Sequence, residues 1–186
     1  MKKIYDFKSD VTNFCSFIEL YPKEQGSIIG RAMRQRCQSF DPNTTAIVLK
    51  QLRSDTGRKN FQFDLSGMLA PFFVLSETAL TALEDILSPR GQFLPVITES
   101  KKKRFFGYYP TNSLRGCFDK EKSEYREAEL GLIVERPVLI AKNISDEYLF
   151  SVEADISRVF VTDKFKQRVE EAGLLAFDFS REIPTS

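Results

Sequence analysis

Val159-Phe160-Val161-Thr162-Asp163-Lys164-Phe165-Lys166-Gln167-Arg168-Val169-Glu170-Glu171-Ala172-Gly173-Leu174-Leu175-Ala176-Phe177-Asp178-Phe179 predicts a strand, a helix, a glycine stop and a second strand. Val159 to Val161 is a run of β-formers. Thr162 or Asp163 can cap the helix by accepting a hydrogen bond from a free amide of its first turn. Phe165, Val169 and Ala172 share one helical face. Gly173 suits the left-handed residue that ends a helix. Leu175, Phe177 and Phe179 alternate with Ala176 and Asp178, the period of a strand with one buried face.

The same order recurs earlier. Phe72-Phe73-Val74-Leu75 is a strand, Ser76 an N-cap, and Glu77 an acid suited to a helix start. Ala79, Leu80, Ala82, Leu83, Ile86 and Leu87 form an apolar helical face, which Pro89 and Gly91 end. Phe93-Leu94-Pro95-Val96-Ile97 then resumes an extended form. Setting Ser76 against Thr162 aligns Glu77 with Asp163, Leu83 with Val169, and Glu84-Asp85 with Glu170-Glu171. Two strand–helix–strand units predict an α+β fold, a mixed and mainly antiparallel sheet with a few helices packed on it.

Around these units, Lys3–Phe7 alternates as an edge strand. Phe14, Phe17, Ile18 and Tyr21 have helical spacing, which predicts a short helix or turn over Asn13–Leu20. Gly30–Phe40 carries Arg31, Arg34 and Arg36 on a basic helical segment. Thr44–Leu52 is a strand, with Ala46, Val48 and Lys50 on one face and Ile47, Leu49 and Gln51 on the other; Asn60–Phe63 pairs back onto it. Lys101–Arg104 forms the tip of a hairpin between Leu94–Thr98 and Phe105–Tyr109. Asp119–Glu129 is an exposed element of mixed charge. Val138–Ala141 is a buried strand, and Pro184-Thr185-Ser186 a frayed end.

Composition narrows the chemistry. At 186 residues the chain reads as a single domain, 1–186; a chain of this order buries roughly 70 % of its unfolded surface, so its core needs no metal or disulfide staple. There are 17 Phe and no Trp or His. Without His the commonest general base and nitrogen ligand are missing. Cys15, Cys37 and Cys117 are far apart and form no C-x-x-C pair, which argues against a zinc or redox site and fits a reducing compartment. Neighbouring acids such as Glu84-Asp85, Asp146-Glu147 and Glu170-Glu171 point in different directions on a helix. No S-x-x-K lies on a convincing helix start, and no phosphate loop follows Gly26 or Gly30. No catalytic, cofactor or metal residue is assigned, and elimination favours a binding protein over an enzyme. An enzyme using carboxylates would need acids gathered in a cleft.

The formal charge is +1, but residues 1–60 carry 11 Lys+Arg against 6 Asp+Glu, with the acidic excess behind them. Lys2 and Lys3 lead into no apolar run, since Asp6, Lys8 and Asp10 interrupt it, and no window approaches the roughly 20 apolar residues of a membrane span. These features point to the cytoplasm and away from a membrane. Lys101–Arg104 beside Phe105, Phe106 and Tyr108 is the one segment that could hold phosphates and stack bases. A solvated lysine-rich turn explains it more simply, and no nucleic-acid partner is expected. A nucleic-acid-binding regulator is nonetheless the alternative function.

Three segments together resemble a known family. They are Phe73–Leu80 running to Phe93–Val96; Tyr108–Asn112 followed by Asp119–Tyr125; and Val159–Lys166 running to Glu170–Leu174. Their order and spacing are similar to bacterial immunity proteins encoded beside polymorphic toxins of type VI secretion or contact-dependent systems. The resemblance covers residues 44–180 and leaves 1–43 unmatched. Where the family has a short Leu-Pro-Gly-Ser-type turn, this chain has Phe150–Ser157. The resemblance implies an effector–immunity pair. The chain would bind one cognate toxin, encoded in the adjacent gene, and neutralise it in the cytoplasm. It implies no catalytic residues and no cofactor. Candidate toxin contacts are Glu121, Glu124, Glu127, Asp146 and Glu147, which could mimic phosphate in a basic cleft, or Arg31, Arg34 and Arg36 against an acidic one.

Overall fold

Four apolar residues in a row, as in Phe72-Phe73-Val74-Leu75, need cover on both faces of a strand, because successive side chains point to opposite sides. The computed structural model, which describes residues 2–129 and 131–186, supplies that cover. Strands β1 (Ile4–Asp6), β2 (Lys8–Ser9) and β3 (Ser16–Glu19) precede helix α1 (Ile28–Gln35). β4 (Ile47–Leu52), β5 (Leu65–Ser66) and β6 (Phe73–Ser76) lead into α2 (Glu77–Leu87). β7 (Gly91–Leu94), β8 (Val96–Ile97), β9 (Phe105–Pro110) and β10 (Ser113–Leu114) follow. β11 (Glu124–Ala128), β12 (Gly131–Arg136), β13 (Leu149–Val152) and β14 (Asp155–Thr162) run into α3 (Asp163–Glu171) and β15 (Phe177–Asp178).

The fold is α+β, and its strand pairs are mostly antiparallel. One four-stranded sheet has the order β5-β6-β9-β7 and another β1-β14-β13-β10. Between them lies the first core, where Phe73, Leu75 and Tyr108 meet Tyr5, Leu149, Val159 and Val161. Helices α2 and α3 close it with Leu83, Leu87, Phe165 and Val169. The alternate side chains face outward into two further cores. Phe72, Val74 and Tyr109 pack with α1 and with Phe17, Ile47 and Leu49. Phe150, Val152 and Phe160 pack with Cys117, Leu139, Ile144 and Ile183. Both apolar runs thus serve sheets covered on two sides.

The paired units have different topologies. β6 and β7 are both antiparallel to β9 and so run parallel to each other with β9 between them. In the second unit β14 joins β1 and β13, whereas β15 pairs with β2 in another sheet. Ser76 caps α2 as predicted, its Oγ accepting from Ala79 N at 3.1 Å. Thr162 occupies the N-cap position of α3, but its hydroxyl donates to Glu147 O instead. Gly173 is left-handed as expected, at φ 63°. Ala172 is exposed, however, and the strand phase is reversed at its start, where Leu175 faces solvent and Ala176 is buried, while Phe177 and Phe179 pack against the first core as expected. Ala176 itself takes φ 72°, which breaks the alternation before β15 begins.

Other expectations are corrected. Asn13–Leu20 holds strand β3, not a helix; four backbone pairs with β4 satisfy its polar groups. A short apolar run fits either period, so spacing alone cannot separate the two. Asn60–Phe63 does not pair with β4; Asn60 O accepts from Cys15 N. Val138–Ala141 is not a strand. Leu139 makes isolated bridges to Phe118 and Thr185, and a 3-10 turn follows. The last residues are held against this segment, because Ser186 N donates to Leu139 O and Ala141 N donates to Ser186 O. The predicted edge strand stands, since β1 edges its sheet; the hairpin is shifted, because β9 pairs with Gly91–Leu94, while Val96 and Ile97 of the predicted arm pair with β4 instead.

Gly107 shows how tightly the two-sided sheet is packed. A Cβ there would overlap the Phe72 ring and sit 3.0 Å from Leu94 O. Phe72 is fully buried and has nowhere to move. Gly107→Ala is expected to cost about 1–3 kcal/mol by overpacking, read as a lower urea midpoint. A midpoint equal to that of the parent chain would show that the Phe72 ring can yield.

Candidate functional site

The cysteines and acids offer little chemistry. All three cysteines are free and buried, and burial pushes the Cys15 and Cys117 thiols above their usual range, which makes them poor nucleophiles. Among the described residues no group of three or more His, Cys, Asp or Glu could hold a metal ion. No helix among them is long and apolar enough to cross a membrane.

The acidic candidates fall into two separate places. Glu121, Glu124 and Glu127 stand exposed on the segment that leads into the β11–β12 hairpin and on its first strand. Glu124 pairs with Arg136 across that hairpin at 3.2 Å, with both side chains in solvent. Asp119 braces the start of the segment: a Ser186 hydrogen bond, with the Lys122 and Glu121 amides, holds its carboxyl below the usual range. Asp146 is exposed and is paired with Lys164, whose hydrogen bond lowers the Asp146 carboxyl and raises the Lys164 ammonium. Glu147 is committed internally, receiving Arg90 Nε at 2.8 Å and Asn112 Nδ2 at 3.2 Å. It holds β13 to the end of α2 and is not free for a partner.

The arginines divide in the same way. Arg31 donates to Glu19, a nearly buried acid of β3 that also accepts from Ile28 N at the start of α1. Arg31 therefore fastens α1 beneath β3. Arg34 and Arg36 are exposed and make no ion pair among the described residues. The basic-aromatic segment is mostly spent on the fold. Phe105 is in the second core, and Tyr108 is buried in the first with its hydroxyl donating to Leu87 O. Lys103 Nζ donates to Asp64 and to Phe63 O, both at 2.8 Å. Arg104 pairs with Glu77 and lies over Phe106. Lys101 and Lys102 are exposed and make no ion pair among the described residues, and Arg104 is exposed despite its pair.

A further surface lies on the sheet of order β3-β4-β8. Its inner face, with Phe17, Ile47 and Leu49, packs on α1 and the second core. Its outer face is open. Leu20 N donates to Val48 O, and Val48 is in register with Ile97. These three side chains form one row across the strands, with relative exposures of 52 %, 41 % and 56 %. Exposed Tyr21 lies beside the row, and a shallow groove of about 450 Å³ is lined by Glu19, Leu20, Tyr21, Pro22 and Val48. Lys50 occupies the next row, opposite Ile18. Sequence reasoning placed Val48 correctly on the face opposite Ile47 and Leu49 but did not see the row. The signal was the unbroken Ile47-Val48-Leu49, which is apolar on both faces; the neighbours of Val48 come from strands far away in sequence.

No family model matches the chain, and no curated protein matches it.

Proposed function

We propose that the chain is an immunity protein: it binds one cognate secreted bacterial toxin in the cytoplasm and covers the toxin's active site or the path of its substrate. The observation that carries this reading is the open sheet face with Leu20, Val48 and Ile97 in a row. Single exposed apolar residues are ordinary, but a contiguous patch rimmed by polar groups is the mark of a protein-binding surface. The resemblance of residues 44–180 to immunity proteins supplies the kind of partner. A toxin met in the cytoplasm would attack nucleic acid, nucleotides or cytosolic proteins. The nucleic-acid alternative gains nothing from the placement of Phe105 and Tyr108, whose rings are buried.

The test uses the toxin domain encoded in the adjacent gene. A host that produces this domain is expected to stop growing alone and to grow when the chain is co-produced. The purified pair should form a stable complex with a Kd of about 1 nM or below, roughly −12 kcal/mol. Absence of both protection and complex would refute the proposal, as would a toxin that acts on the cell wall outside the cytoplasm.

A further inference from the structure

We infer that the outer face of the β3–β4–β8 sheet is the docking surface, and that the toxin presents to it an apolar anchor bordered by carboxylates. This rests on the immunity reading and adds the place and chemistry of contact. It also moves the contact away from the acidic segments. A sheet face that meets only water normally alternates toward polar residues. Here the row Leu20–Val48–Ile97 interrupts that rule on β4, on β8 and at the residue just past the end of β3. The shallow groove between Leu20, Tyr21, Pro22 and Val48 is lined mostly by apolar surface, which suits contact with an apolar or aromatic side chain.

The rim identifies the partner's charge. Lys50 stands in the row beside the apolar one. Lys101 and Lys102 follow edge strand β8 and are exposed, and Lys23 is exposed just beyond Pro22. None of Lys23, Lys50, Lys101 and Lys102 makes an ion pair among the described residues. The acids nearby are fewer than the lysines: Glu19 is spent on Arg31 and Ile28 N, while exposed Glu99 accepts from Gln51 N and exposed Glu24 stands beside Lys23. A second copy of this chain would oppose like charges across the patch, which disfavours self-association. A partner with carboxylates around an apolar centre would neutralise the rim as it fills the groove. Association with it would be fast at low salt and slower as salt screens the charges.

The experiment is calorimetry and stopped-flow binding with the toxin domain of the adjacent gene. Val48→Glu and Ile97→Glu should each weaken binding about 100-fold with the thermal midpoint little changed, because both side chains are about half exposed. Lys50→Glu with Lys102→Glu should slow association about tenfold and flatten its salt dependence. Glu121→Lys with Glu127→Lys should leave Kd within about threefold. Loss of binding through the hairpin reversals, with Val48→Glu and Ile97→Glu silent, overturns the surface and leaves the immunity reading intact. A parent chain that does not bind the toxin domain overturns both. A parent chain that sediments as a dimer, dissociated by Val48→Glu, would make the occupant a second copy and overturn the inference.

Discussion

Phe165→Ala should cost about 3–5 kcal/mol, the range for deleting a fully buried aromatic ring. Phe165 is 0 % exposed on the inner face of α3. Its ring meets Phe7 edge-on at 5.4 Å and lies 6.2 Å from Phe177. Phe7 in turn packs on Phe73 at 4.4 Å, so one chain of rings links α3 to the sheet that carries α2. The cavity left by alanine would be walled by β-sheets on two sides and could close only by moving them. A domain's stability is only about 5–15 kcal/mol, so this change removes a large part of it. At roughly 2–4 °C per kcal/mol for a chain of this size, the thermal midpoint should fall by about 10 °C. Phe165→Leu keeps most of the volume and should lose much less. A loss under about 1 kcal/mol for the alanine variant would mean that α3 can settle into the gap.

The location of that ring was legible in sequence because it depends on local period. Phe165 and Val169 lie four apart after a threonine at the N-cap position, and both are buried. The same local logic found α2, its Ser76 cap and the strand pair that flanks it. It failed where a distant group decided the outcome. The Thr162 hydroxyl satisfies Glu147 O, a demand set by the β13–β14 pairing. Leu139 looked like strand because it is apolar among apolar residues, yet its partners are Phe118 and Thr185, each joined by a single bridge. β3 looked helical because Phe14, Phe17, Ile18 and Tyr21 fit that spacing by coincidence.

The proposed docking surface was less legible for a physical reason. Charge can be counted in a sequence, but whether a charge is spent cannot. Glu147 and Arg31 looked like free charges and are fastening groups for β13 and α1. Lys101 and Lys102 remain free, while Lys103 between them and the core is consumed by Asp64. The apolar row depends on register between β3, β4 and β8, two of which meet only through long loops. Affinity is expected to reside in such a row more than in charges, since desolvated apolar anchors dominate protein interfaces.

Asp64→Ala should be comparably damaging, at about 3–5 kcal/mol, the cost of removing one partner from a buried charged network. Asp64 Oδ1 receives Ser76 Oγ at 2.5 Å and Lys103 Nζ at 2.8 Å, and its Oδ2 receives Leu175 N at 2.8 Å. The backbone reciprocates: Asp64 N donates to Leu175 O, and Ser76 N donates to Asp64 O. One side chain thus joins the cap of α2, the lysine-rich turn and Leu175, two residues past the Gly173 stop. Both halves of the repeated sequence pattern meet there. Burial by itself would raise the Asp64 carboxyl, but the hydrogen bonds from Lys103, Ser76 and Leu175 outweigh it and hold the group below its usual range. The sign follows. A carboxylate lowered in the folded state contributes stability above its unfolded pKa of about 3.9, and that contribution is lost as pH falls through the folded value. The gap between the parent chain and Asp64→Asn should therefore be full at neutral pH and shrink as the solution is taken below about pH 4. Urea titrations of both chains at a series of pH values measure it. A gap that stays constant through the acid range would mean that the ionised carboxylate is not what holds these segments together.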